Sequence, residues 1–115
     1  MSVTEKAGGT ESVTVDATST LVTITAEGVY QLVVDLDELV AADALEIRIK
    51  LEVRAAGTAK VVFFATYAHD QGADGNIVIS PPIPKVATTD LIFELLQTDG
   101  TERDFIWSVY EYANA

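Results

Sequence analysis

The sequence has no cysteine, one histidine and few basic residues. The absence of cysteine excludes disulfide bonds and thiolate metal sites, so the fold must depend on packing or on a partner. Seven Lys and Arg residues stand against 18 Asp and Glu residues, which gives a formal net charge of -11. Such an excess of negative charge repels phosphate groups, and this argues against binding to nucleic acid or to an anionic membrane. No apolar run is long enough to predict a membrane span.

What the chain does have is apolar residues, which make up 49% of its 115 positions. An acidic chain with this apolar content is not a disordered tail, because disorder goes with low hydrophobicity. The length predicts one domain. Residues 1–10 are polar, include two adjacent glycines and lack the apolar run of a signal peptide. The sequence therefore predicts an N-terminal polar arm at residues 1–10 and a folded domain at residues 11–115.

The folded part shows the two-residue period of β-strands. In residues 45–54 (LEIRIKLEVR), apolar and charged residues alternate strictly, so one face belongs to the core and the other to solvent. No stretch predicts a long helix. These features predict an all-β fold of about eight strands: a single antiparallel β-sandwich or jelly-roll-like domain, with a closed barrel as the alternative. The other predicted strands cover residues 12–17, 20–26, 29–36, 60–69, 77–79, 90–98 and 101–112.

The last two predicted strands are separated by Asp99 and Gly100. An Asp-Gly pair between apolar runs is typical of a two-residue type I′ turn, in which both central residues have positive φ. The sequence thus predicts a hairpin that places Phe93 opposite Ile106 in one sheet.

No catalytic or metal-binding motif is complete. His69 precedes Asp70, but the only serine nearby, Ser80, lies in no nucleophile motif. The loop that begins at Asp70 starts like a calcium-binding loop and then departs from it, since Gly72 offers no side-chain ligand and Pro81 replaces the required glutamate. The sequence predicts that the protein is not an enzyme and has no metal site and no cofactor.

The chain carries more large apolar side chains than one inner sheet face uses. Residues 61–68 and the last two predicted strands are apolar on both faces. Monomers rarely expose contiguous apolar patches larger than roughly a few hundred Å². We therefore predict a homo-oligomer, or a protein that coats a larger protein surface. The candidate interface residues are Phe63, Phe64, Tyr67, Pro81, Pro82, Ile92, Phe93, Trp107, Tyr110 and Tyr112.

Several segments of the chain form a recognisable succession. They are VYQLVVDL at 29–36, LEIRI at 45–49, FATYA at 64–68, SPP at 80–82, and LQTDGTER at 96–103 followed by Trp107-Ser108. This succession resembles small virion-associated proteins of tailed bacteriophages, in which an opening pattern GxYxLxxDLxxLxxGDxLExRI and an ending LxQTxGTxRxFxWS recur. The similarity covers roughly residues 28–112, with Ala42-Asp43 in place of the usual Gly-Asp.

The resemblance implies a structural protein of the virion, located on the capsid surface. It implies a head decoration or cement protein that binds the major capsid protein or another virion protein and stabilises the phage head. Within such a group, trimers at symmetry axes are the commonest arrangement. The motifs are structural, and they add no catalytic residue.

Tyr110 and Tyr112 are compatible with a second function, the binding of a carbohydrate or a receptor. They share one face of the last predicted strand, about 7 Å apart, a spacing at which aromatic rings can stack on sugars. Tyrosine is also common at partly wet protein interfaces. The alternative function is a carbohydrate- or receptor-binding β-sandwich of a tail fibre or a secreted protein. A sugar site would expose coplanar rings, whereas a protein interface would bury them.

Overall fold

A computed structural model describes residues 2–39, 43–68 and 77–113 of the protein. These residues form nine β-strands and no helix, which confirms the predicted all-β class. The strands are β1 (Ser2–Ser12), β2 (Thr18–Ile24), β3 (Gly28–Asp35), β4 (Ala44–Leu51), β5 (Lys60–Ala68), β6 (Ile77–Ile79), β7 (Ile83–Lys85), β8 (Leu91–Asp99) and β9 (Asp104–Ala113).

The strands form two antiparallel sheets that pack as a β-sandwich. The first, sheet A, has the order β1-β9-β3-β6, and β7 pairs with the other end of β3. The second, sheet B, has the order β2-β8-β4-β5. Two separate open sheets, each with edge strands, confirm the sandwich and not the barrel.

The core lies between the two sheets and follows the predicted alternation. In β4, Leu45, Ile47 and Ile49 are at most 1% exposed, while the charged residues between them lie on the outer face. Burying one such side chain stabilises the fold by about 1.5–3 kcal/mol. The core consists of Val13, Ile24, Tyr30, Leu32, Val34, Leu36, Leu39, Leu45, Ile47, Ile49, Ile83, Leu91, Phe93, Leu95, Phe105, Trp107 and Val109.

The predicted hairpin between the last two strands is wrong. β8 lies in sheet B between β2 and β4, whereas β9 lies in sheet A between β1 and β3. Gly100 has a φ of 89°, but Asp99 is not among the residues with positive φ, so the turn is not type I′. The Asp-Gly pair instead marks a corner at which the chain crosses from one sheet to the other. Local turn residues indicate a change of direction, and they do not specify which sheet the next strand joins.

The first strand covers most of the predicted polar arm and extends two residues beyond it. β1 runs along the edge of sheet A, paired with β9, and most of its side chains are exposed. An edge strand needs few apolar side chains, which explains why its sequence shows no apolar alternation. The strand predicted at residues 12–17 is not formed beyond Ser12, because Asp16 adopts a φ of 65° in a turn.

Tyr30 ties the start of β3 to the neighbouring backbone. Its side chain is fully buried, and its hydroxyl lies 2.9 Å from the Ala26 carbonyl oxygen and 3.4 Å from Glu111 Oε2. Burial, together with the negative charge of Glu111, raises the pKa of the Tyr30 hydroxyl.

This raised pKa predicts a loss of stability in alkali. The neutral tyrosine is favoured in the folded state, so its contribution is complete below the unfolded pKa of about 10 and is lost as the pH rises through the folded pKa. We expect the free energy of unfolding to fall more steeply in the wild type than in Tyr30→Phe as the pH rises above the unfolded pKa of about 10. Urea titrations at stepped pH measure the two slopes, and equal slopes would contradict the prediction.

Candidate functional site

The corner between β8 and β9 is held by a buried glutamine. Gln97 is fully buried, and its Nε2 donates to the carbonyl oxygens of Asp99 at 3.0 Å and Thr101 at 2.6 Å. Its Oε1 accepts the backbone N–H of Arg103 at 3.1 Å. One side chain therefore pairs three backbone groups that a sheet ladder leaves unpaired at a crossing.

Asp43, which directly precedes β4, stabilises the same corner. It is 2% exposed, and its carboxylate accepts the backbone N–H of Thr101 at 3.1 Å and the Nε–H of Arg103 at 2.8 Å. Gln97 and Arg103 lie in the segment 96–103 that carries part of the resemblance, and Asp43 lies in the Ala42-Asp43 pair that stands in place of the usual Gly-Asp. The structure gives these residues a role in positioning backbone.

No group of three or more histidine, aspartate or glutamate side chains in the described part of the chain is placed to hold a metal ion. Ser80 is buried, and its Oγ accepts the N–H of Leu32 at 2.9 Å, so it joins the β6–β7 connection to β3. His69 and the loop that begins at Asp70 lie outside the described residues. The described ranges include no helix with the length and hydropathy that a membrane span requires.

The outer face of sheet A exposes several large apolar side chains. Ile77 and Ile79 of β6 expose 60% and 58% of their surface, and Ile106 of β9 exposes 60%. Cross-strand pairing places Val33 beside Ile79 of β6. One groove is lined by Val33, Ile77, Ile106 and Tyr110, so apolar residues of β3, β6 and β9 are neighbours on this face. Its apolar members are Val3, Val29, Val33, Ile77, Ile79, Ile106, Tyr110 and Tyr112.

One end of this face is acidic. A shallow groove of about 210 Å³ runs over the apolar part, beside Val33, Ile77 and Tyr110. An adjoining groove of about 200 Å³ is lined by Thr10, Ile106 and four carboxylates. An apolar surface with an acidic rim is complementary to a protein surface with a basic rim. The four carboxylates are those of Asp35, Asp37, Glu38 and Asp104.

The outer face of sheet B has a different character, with charge pairs at its centre. Arg48 pairs with Glu46 on the same strand. Lys50 Nζ lies 3.2 Å from Glu94 Oε1, close enough for an ion pair but without hydrogen-bond alignment. The apolar residues of this face lie toward the β5 edge, where Phe64 is 55% exposed.

Two of the ten candidate interface residues belong to the core. Phe93 is 0% exposed and Trp107 is 8% exposed, so their assignment to an interface is corrected. Both β8 and β9 carry apolar residues on both faces, and periodicity alone does not say which face turns inward. Pairing with the neighbouring strands decides it.

The other eight candidates lie at the surface, on different parts of the molecule. Tyr110 and Tyr112 lie on the outer face of sheet A, whereas Phe64 and Ile92 lie on that of sheet B. No single patch joins them, and which of them meet a partner stays a prediction. Phe64, Pro81 and Pro82 are exposed, and Phe63, Tyr67, Ile92, Tyr110 and Tyr112 are partly buried.

Sequence reasoning missed the three exposed isoleucines of sheet A. Ile106 is separated from Tyr110 and Tyr112 by an even number of positions, so the two-residue period of a strand could have placed it on the same face as these tyrosines. Ile77 and Ile79 share a face of a strand only three residues long, and their proximity to β9 follows from the pairing of β6 with β3.

The tyrosine pair does not form a free aromatic platform. Both rings are partly buried, and the Tyr112 hydroxyl donates to Gln31 Oε1. Gln31 Nε2 in turn donates to the Ser80 carbonyl oxygen at 2.6 Å. The ring of Tyr112 is thereby held within the sheet surface, which suits a protein contact better than stacking on a sugar.

Comparison of the chain with family models, curated proteins and solved structures finds no match.

Proposed function

We propose that this protein is a structural virion protein of a tailed bacteriophage. It acts as a capsid decoration or cement protein, which binds the major capsid protein on the head surface and stabilises the head. The observation that carries this proposal is the cluster of exposed apolar side chains on the outer face of sheet A. In the proposal the protein binds other proteins and catalyses no reaction.

The shape of the molecule supports a coating role. Its principal extents are 40 × 31 × 19 Å, so it is a thin slab with broad faces. A stable protein interface buries about 800 Å² on each partner, and a sheet face with several half-exposed apolar residues offers contact of that kind. The acidic rim adds orientation and faster encounter with a basic rim on the capsid protein.

Ile106→Lys tests the docking face. The new charge lies within the apolar part of the outer face of sheet A, so binding to purified heads that lack this protein should weaken at least about tenfold. Because Ile106 is 60% exposed, the fold should be unaffected. Occupancy of heads against protein concentration, read by electron microscopy or gel densitometry, measures the change.

Val53→Lys is the matched control. Val53 is 76% exposed in the turn after β4, outside the outer face of sheet A, and the same charge is introduced there. The Val53→Lys variant should bind the heads as tightly as the wild-type protein does. Equal binding by Ile106→Lys, or absence of the protein from purified virions by mass spectrometry, would refute the proposal.

A further inference from the structure

Three of the four sheet edges carry features that discourage pairing with another strand. β6 and β7 have three residues each, and β7 contains Pro84. β1 has a bulge between Glu5 and Ala7 together with charged residues, and β2 has a bulge between Thr20 and Val22. Short strands, proline, charge and bulges are the usual means by which edges avoid adding a further strand.

β5 forms the fourth edge, and most of it lacks such protection. Among the described strands it pairs with β4 alone. Its one charged residue, Lys60, and its bulge at Val62 both lie at its beginning. The remaining segment, residues 63–67, contains no proline, glycine or charge, and on the side away from β4 none of the described strands pairs with it.

The core is also incompletely covered at this edge. Phe63 and Tyr67 point toward the core, yet they are only partly buried, whereas Leu45 and Ile47 on the adjacent β4 are at most 1% exposed. On the outer face, Phe64 is 55% exposed. A further strand placed beside β5 would cover apolar side chains on both faces at once.

The charge near β5 differs in sign from that of the whole chain. The side chains of Arg48, Lys50 and Lys60 outnumber those of Glu46 and Glu94 on this part of sheet B. The chain as a whole carries -11. Two copies therefore repel each other through their net charge, and β5 itself, with Lys60 as its one charged residue, adds no carboxylate to that repulsion.

We propose that β5 pairs edge to edge with β5 of a second copy. The two strands run antiparallel about a two-fold axis, so that the two B sheets join into one sheet of eight strands. The partner strand supplies the backbone hydrogen bonds and apolar contacts that the edge lacks. It brings no acidic side chain of its own to the interface. The pairing goes beyond the proposed function and does not depend on it, because the outer face of sheet A stays free.

Sedimentation of the purified full-length protein tests the pairing. The chain has a mass of 12.3 kDa, and at micromolar concentration we expect a species of about twice that mass. Phe64→Lys brings two like charges together across the axis, so the dissociation constant should rise at least about tenfold. Ile106→Lys, on the opposite sheet, is the control and should leave it unchanged.

A cross-linking experiment identifies the strand directly. Because the chain has no cysteine, Thr66→Cys provides a single thiol on the exposed face of β5, near the expected axis. A short bis-maleimide should link two copies of Thr66→Cys and should not link Val53→Cys. A monomer, a trimer, a dimer insensitive to Phe64→Lys, or failure of Thr66→Cys to cross-link would each overturn the proposal.

Discussion

Replacing Phe93 with alanine should lower the free energy of unfolding by about 3–5 kcal/mol, as expected for truncation of a fully buried aromatic side chain. Phe93 is 0% exposed and lies in β8, opposite Ile49 of β4 and Val22 of β2. Alanine removes its apolar contacts and leaves a cavity between the sheets. Since small domains are stable by only about 5–15 kcal/mol, the loss is a large fraction of the total. Urea denaturation followed by tryptophan fluorescence measures it.

Phe64→Ala is the matched comparison for that experiment. Phe64 has the same side chain but is 55% exposed on the outer face of sheet B. Measured where the protein is monomeric, its truncation should cost less than about 1 kcal/mol. Similar losses for the two variants would contradict the assignment of Phe93 to the core and of Phe64 to the surface.

Replacing Gln97 with leucine should cost about 3 kcal/mol, because three backbone groups at the β8–β9 corner lose their partner. Leucine fills a similar volume, so the loss reports the hydrogen bonds and not a cavity. Gln97→Glu should be nearly as damaging, since a carboxylate cannot donate to the carbonyl oxygens of Asp99 and Thr101. Equilibrium unfolding in urea gives both values.

Thr98→Ala provides the control for the corner. Thr98 is the next residue along β8 and is exposed, so its truncation should change the free energy of unfolding by less than about 0.5 kcal/mol. A Gln97→Leu variant as stable as Thr98→Ala would show that water replaces the glutamine, and that the corner does not depend on it.

The sequence was sufficient to predict those strands in which one face is apolar and the other is charged. β4 is the clearest case, since alternation gave both its extent and its inner face. β8 and β9 are apolar on both sides, and for them neither the inner face nor the sheet could be predicted. β1 was missed because an edge strand with exposed side chains carries no apolar period.

The candidate site was predictable only in part, for a related reason. Tyr110 and Tyr112 could be placed on one face by their spacing. Their apolar neighbours Ile77 and Ile79 come from a separate, very short strand, and they join the patch through the pairing of β6 with β3. Such proximity depends on long-range strand order, which local patterns do not contain.

The crossing between β8 and β9 also has a consequence for how the protein folds during synthesis. β8 separates β2 from β4, and β9 separates β1 from β3, so residues 91–113 supply an inner strand to each sheet. Until the ribosome has released these residues, β1 and β2 have no strand to pair with. β1 and β2 can therefore pair only after β8 and β9 have been synthesised, and these contacts close long loops, which makes folding slow.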